Sequence, residues 1–213
     1  MFSSLKKYYL KDILYDDIVS NTLDNFKLNS FYSLCNKILK DFEKLIDFND
    51  SNNVSKFLLK QKRAVQGYIE EKQYFINWIH EYLTVNGFMN EWFPDYYPSL
   101  ELAIFYENWG FSGLSVWLNN EKSEYLTSSS AAIIDCEVFY LLDGVMTKVF
   151  KLNSEERLER LRNALLIDVS DNNVSKPFKD IFLLDGTRVT VFEKTYVKNK
   201  KVAMFFRKFF VRE

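Results

Sequence analysis

The sequence predicts an α+β protein, an N-terminal helical bundle followed by a mostly antiparallel sheet with one main packed helix. Three observations predict it. Apolar residues recur at spacings of three and four through the first ninety residues, which lines them along helix faces. From Gly113 onward the period becomes two and the segments shorten, as strands require. Two Asp-Gly dipeptides separate strand-like runs: Asp143-Gly144, a strong hairpin signal because both central positions of its tight turn need positive φ, and Asp185-Gly186, a second hairpin.

Taken in order, Leu5, Tyr8, Tyr9, Ile13 and Leu14 form a first amphipathic pattern. Phe31, Leu34, Cys35, Ile38, Leu39, Phe42, Leu45 and Ile46 form one continuous helical stripe, which ends in the polar run Asn49 to Asn53. Short polar side chains there compete for backbone hydrogen bonds, favouring a loop and the next N-cap. A second long helix is expected from Phe57 through Val65, Tyr68, Phe75 and Ile79 to Leu83, with Gly87 as its stop. The aromatic, proline-bearing segment from Met89 to Pro98 divides the chain into a bundle over 1–93 and an α/β domain over 94–213. Ser99 to Tyr106 reads as a short helix ended by Asn108-Trp109-Gly110. Glu137–Leu142 and Val145–Phe150 flank the first Asp-Gly turn. The next helix buries Leu158, Leu161 and Leu165, with Asn153 as its cap and Glu156 reaching back as in a capping box. Asp168 to Ser175 is a polar loop, and the second hairpin and a last strand close the domain.

Composition narrows the function classes. In 213 residues, 28 basic and 29 acidic side chains leave a net charge of -1, so no global field draws the protein to nucleic acid or anionic lipid. Abundant aromatics with few glycines and prolines indicate a packed core. The two cysteines, Cys35 and Cys136, stand in no paired spacing, which points to a reducing compartment and a cytoplasmic location. No apolar run reaches membrane-spanning length before charge interrupts it.

Near the carboxyl end, Lys176-Pro177-Phe178 leads into a strand, the Asp185-Gly186 turn, Thr187-Arg188-Val189-Thr190 and then Met204-Phe205-Phe206-Arg207-Lys208-Phe209. In that order these motifs resemble the end of the N-terminal domain of the type II/type IV secretion traffic ATPases, which power conjugation, pilus assembly and export. The resemblance runs from about Val138 to Phe209. The segment from Asn108 to Leu126, with Trp109 and Trp117, has no counterpart in the family pattern, and Cys136 to Gly144 is more apolar than is usual there.

In that family a motor domain follows the last strand, whereas this sequence stops at Glu213. The resemblance therefore covers roughly the N-terminal half of such an ATPase by domain size. It implies a tier of a homo-oligomeric ring, a hexamer in the parent protein. This tier covers ATP and Mg²⁺ held by the motor domain and couples hydrolysis to inner-membrane secretion or conjugation proteins, at the inner face of the membrane. It also implies that Arg188 and Arg207 reach the nucleotide phosphates, a role suited to the planar donor fork of a guanidinium. On the strand after Gly186, Arg188, Thr190 and Phe192 point away from Thr187, Val189 and Val191. Without the resemblance, Arg188 reads as a surface arginine with a carboxylate neighbour.

None of the six glycines builds a phosphate-binding loop, so the chain is not a complete ATPase and is expected to carry no catalytic residues and no cofactor of its own. The alternative is a stand-alone protein-interaction adaptor. His80 lacks the partners a zinc site requires, so no metal is expected. Asp16-Asp17, Glu70-Glu71 and Glu155-Glu156 are adjacent in helices and diverge, and Ser128-Ser129-Ser130 lacks the glycine frame of a nucleophile elbow. The basic excess from Glu193 to Glu213 reads as a solvated hairpin tip around Lys198-Asn199-Lys200-Lys201, and nucleic acid is not an expected partner.

Overall fold

A computed structural model describes residues 24–119, 128–166, 177–192, 197 and 201–208. The stripe of Leu5 to Leu14, the loop from Asp168 to Ser175 and the tip residues Lys198 to Lys200 lie outside the described residues.

Helix α1 covers 24–43 and buries Phe31, Cys35, Ile38, Leu39 and Phe42, as the spacing predicts. The helix ends before Leu45, which is exposed. Asp50 caps α2 (Ser51–Gln66), its side chain accepting from the amides of Asn52 and Asn53. The single long helix expected next is in fact two. Gly67 takes φ 102°, a left-handed conformation open to glycine at little cost, and α3 restarts at Ile69–Asn86. The apolar periodicity runs straight across this break, because both helices face the same core and only the cap residue marks the turn. Gly87 ends α3, and Ser99 caps α4 (Leu100–Asn108) by accepting from the Leu102 amide.

These helices enclose an aromatic core in which Phe42 meets Trp78 edge-on at 4.7 Å and Phe75 stacks on Trp109 at 4.8 Å. Helix α4, C-terminal to the Met89–Pro98 segment, supplies Leu100, Ala103, Ile104, Phe105 and Tyr106 to that same cluster. A helix apolar on nearly every side must be enclosed, and α4 lies between the bundle and the sheet.

The period-two region begins later than the sequence suggests. Leu114–Leu118 is a short helix, α5, and every one of its residues is buried. Enclosure on all sides removes the polar face that would have shown a helical period. The strands are β1 (Ser130–Ile134), β2 (Glu137–Leu142), β3 (Val145–Lys151), β4 (Phe178–Phe182), β5 (Arg188–Phe192) and β6 (Ala203–Arg207), with α6 (Glu155–Leu166) crossing between β3 and β4. They form one antiparallel sheet in the order β3-β2-β1-β6-β5-β4. Asp143 and Gly144, at φ 48° and 80°, make the β2–β3 turn that the dipeptide predicts.

The cap of α6 is Ser154 rather than Asn153: the Ser154 hydroxyl accepts from the Arg157 amide at 3.1 Å. The shift by one residue removes the capping box with Glu156, since the residue three positions after the cap is now Arg157. Leu158, Leu161 and Leu165 face the sheet as expected, packing with Ala131, Ile133, Val138, Tyr140, Val189, Val191, Met204 and Phe206 from its inner face.

Candidate functional site

Alternation along the strands sends a second set of side chains to the face of the sheet opposite α6. On β5, Val189 and Val191 are buried while Arg188, Thr190 and Phe192 are partly exposed, the division read from the sequence. On β6, Met204 and Phe206 point inward and Phe205 and Arg207 outward.

Cross-strand register then sets the site. Arg188 is the direct partner of Arg207, which in turn pairs with Ser130 on β1. One row along the strands, Asp180, Thr190, Phe205 and Ala132 lie side by side. A cavity of 330 Å³ opens here, lined by Ser130, Met146, Arg188, Thr190, Phe205 and Arg207. The two arginines singled out by resemblance are thus brought together on adjacent strands, at the mouth of one depression.

Two guanidinium groups so close repel each other unless an anion lies near. Asp180 supplies part of that charge. Its Oδ1 accepts from Arg188 Nε at 3.0 Å and its Oδ2 from Nη2 at 2.6 Å, a fork-on-fork pair. Thr190 Oγ1 donates to Asp180 Oδ1 at 2.6 Å and fixes the carboxylate in turn. The hydrogen bonds from Arg188 to Asp180 raise the guanidinium's already high pKa, so its charge is permanent. That pair engages Nε and Nη2, one edge of the planar group, and Nη1 takes no part in it. The arrangement can receive an oxyanion between Nη1 of Arg188 and the exposed guanidinium of Arg207, with two hydroxyls and an aromatic ring as walls.

Asp180, Thr190, Ser130, Met146 and Phe205 were not singled out by the sequence. Period-two alternation puts Thr190 on the side of Arg188 and Phe205 on the side of Arg207, but the β5–β6 register that sets Thr190 against Phe205 and the β1–β6 register that brings in Ser130 are announced by no local pattern. The same register interleaves aromatic and basic side chains on one face: Phe192 contacts Phe178 at 6.0 Å and Phe205 at 5.6 Å. In the linear sequence that interleaving is invisible.

Elsewhere, the exposed His80 ring meets Glu101 at 3.0 Å. Among the described residues no cluster of His, Cys, Asp and Glu could hold a metal ion, and no helix is long and apolar enough to cross a membrane.

The site so built is a sheet face on an α+β domain with Arg188 and Arg207 side by side at one cavity. No family model matches the chain, and no curated protein matches it. Among solved structures it overlaps with the VirB11 ATPase from the Brucella suis type IV secretion system, crystallised in complex with sulphate, at 21% identity and a TM-score of 0.37. The overlap covers 47% of this chain and 31% of that chain, so this chain spans less than a third of that ATPase. That protein is a type IV secretion ATPase, the class to which the carboxyl-end motifs bear their resemblance. A superposition this partial carries no function across.

Proposed function

We propose that this chain is the nucleotide-covering N-terminal part of a secretion or conjugation traffic ATPase. Its open sheet face lies over ATP and Mg²⁺ held by a motor domain, and its ring-forming tier passes hydrolysis to a membrane assembly. One observation carries the reading: Arg188 and Arg207, named from the motif alone, are cross-strand partners at one cavity on the face not covered by α6. Each arginine supplies charge-assisted hydrogen bonds to phosphate oxygens, and Asp180 holds the first in place. Bond formation strengthens as negative charge accumulates on the transferring phosphoryl group.

The test is ATP turnover by the complete motor carrying Arg188→Ala or Arg207→Ala. Loss of one hydrogen bond to a charged group, about 1.5–3 kcal/mol, corresponds to a roughly tenfold or greater fall. Circular dichroism of both variants should match the parent. Unchanged turnover in either variant removes that arginine from the role.

A second reading, a stand-alone adaptor, is favoured by the Asp180 pair, which already neutralises much of Arg188. The reading frame downstream separates the two. Continuation into a Gly-x-x-x-x-Gly-Lys-Ser/Thr loop supports the motor, and its absence supports the adaptor.

A further inference from the structure

The helical core and the sheet core meet around one buried cation. Arg157, in the first turn of α6, is 2% exposed. A positive charge there is opposed by the dipole of its own helix, so local helix energetics do not explain it. Its partners lie across the junction. Nε donates to the carbonyl of Glu107, and Nη2 donates to the carbonyls of Tyr106 and Gly110. These are the last carbonyls of α4 and the loop just beyond it, where a helix leaves acceptors without partners and carries its negative dipole end. Helix α4 has no basic residue of its own in its last turn. Arg157 of the sheet unit caps a helix of the bundle.

The contact extends in both directions. Glu107, beside the guanidinium, accepts from Tyr97 Oη at 2.5 Å and Ser112 Oγ at 2.6 Å. Asn108 donates to the carbonyl of Cys35 at 2.9 Å, which ties the end of α4 to α1. Around this centre the two units touch at further points. The Leu184 amide donates to the Gln66 carbonyl at 2.9 Å, Tyr96 meets Phe150 at 5.0 Å, and Phe111 meets Phe206 edge-on at 5.2 Å. Even the core residues cross over: Val65 of α2 packs in the sheet cluster and Val116 of α5 in the helical one.

Two units joined by a polar seam ordinarily move against each other. Here the seam is charged at its centre and pinned at several points around its rim; a cavity of about 360 Å³ between Gly67, Tyr106, Gly110 and Leu184 opens on one side of it, while the guanidinium itself is buried and costly to part from its acceptors. We propose that the bundle and the sheet form one rigid lever, keyed by Arg157, with no hinge between them. Displacement of the bundle then reaches the Arg188–Arg207 face undiminished. This claim stands on the junction itself, and the experiment below contains no nucleotide, so it fails or succeeds independently of the motor reading.

Native-state hydrogen exchange in increasing sub-denaturing urea tests it. In the intact protein, slow amides of α3 and of β5 should converge on one opening reaction with the same urea dependence. In Arg157→Lys, whose single ammonium cannot fork to three carbonyls, the helical amides should open independently, at least tenfold more often than those of β5. Separate opening of α3 and β5 in the intact protein overturns the proposal. So does a shared opening that persists in Arg157→Lys. If that variant does not fold, the convergence or divergence seen in the intact protein decides the question.

Discussion

The sheet has arginines on both of its sides, and they live in opposite worlds. Arg157, on the helix covering the inner face, is sealed away and answered by backbone carbonyls. Arg188 and Arg207, on the outer face, meet solvent, and the partner of Arg188 is a carboxylate. Burial pushes the Arg157 pKa down to about 10, whereas hydrogen bonding to Asp180 pushes that of Arg188 up. One residue type thus does two jobs. Inside, the charge is a structural fastener whose loss is expensive; outside, it sits on an exposed face and contributes little to folding.

The sharpest way to break this contrast is Arg157→Met. Removing the cation strips its bonds from the Glu107 and Gly110 carbonyls, while that of Tyr106 keeps the Ser112 amide, and leaves Glu107 without its neighbour; a loss of about 3–5 kcal/mol in urea unfolding is expected. A smaller loss would mean that water enters the seam. The two faces are next compared through neighbours on β6. Phe206 is 1% exposed and Phe205 is 42% exposed. Phe206→Ala should cost roughly 3–4 kcal/mol and Phe205→Ala about 1 or less. Equal costs would show that something covers the outer face.

Tyr97→Phe removes one buried donor to Glu107 and should cost about 1–3 kcal/mol. The smallest effect lies in the pH dependence. Lys44, then Tyr82, hydrogen-bond to Asp41 and hold its pKa below the ordinary 3.8. Its contribution is present above that value and is lost as pH falls through the lowered one. Burial instead raises Glu107 above 4.5, so its ionisation removes stability as pH rises from there through its folded value. Asp41→Asn should therefore flatten the acid limb of a stability–pH curve, and Glu107→Gln the decline on the other side.

What was legible in the sequence follows the same division. The stripe from Phe31 to Phe42, the tight Asp143-Gly144 turn, the Gly87 stop and the alternation on β5 are local patterns, and the structure shows each of them; at the second dipeptide only Gly186 takes a positive φ and the connection is wider, from Phe182 to Arg188. The break at Gly67 was hidden because apolar spacing continues through it, and α5 was hidden because all its faces are buried. Arg157 was invisible for a deeper reason. Within a run of alternating charges, Glu155-Glu156-Arg157-Leu158-Glu159-Arg160, no rule distinguishes the arginine that turns inward. Only α4, fifty residues earlier, makes it a partner. Of the outer site, the two arginines were legible through motif resemblance, while Asp180 and Ser130 required knowing which strands adjoin.

Strand order has one more implication. β6, the last of the described strands along the chain, occupies the middle of the sheet, between β1 and β5. Until residues 203–207 emerge, β1–β2–β3 and β4–β5 are separate ribbons with bare inner edges, which isolated hairpins bury poorly. The sheet cannot close until residues 203–207 are in place, so losing β6 splits it into two ribbons rather than removing one margin.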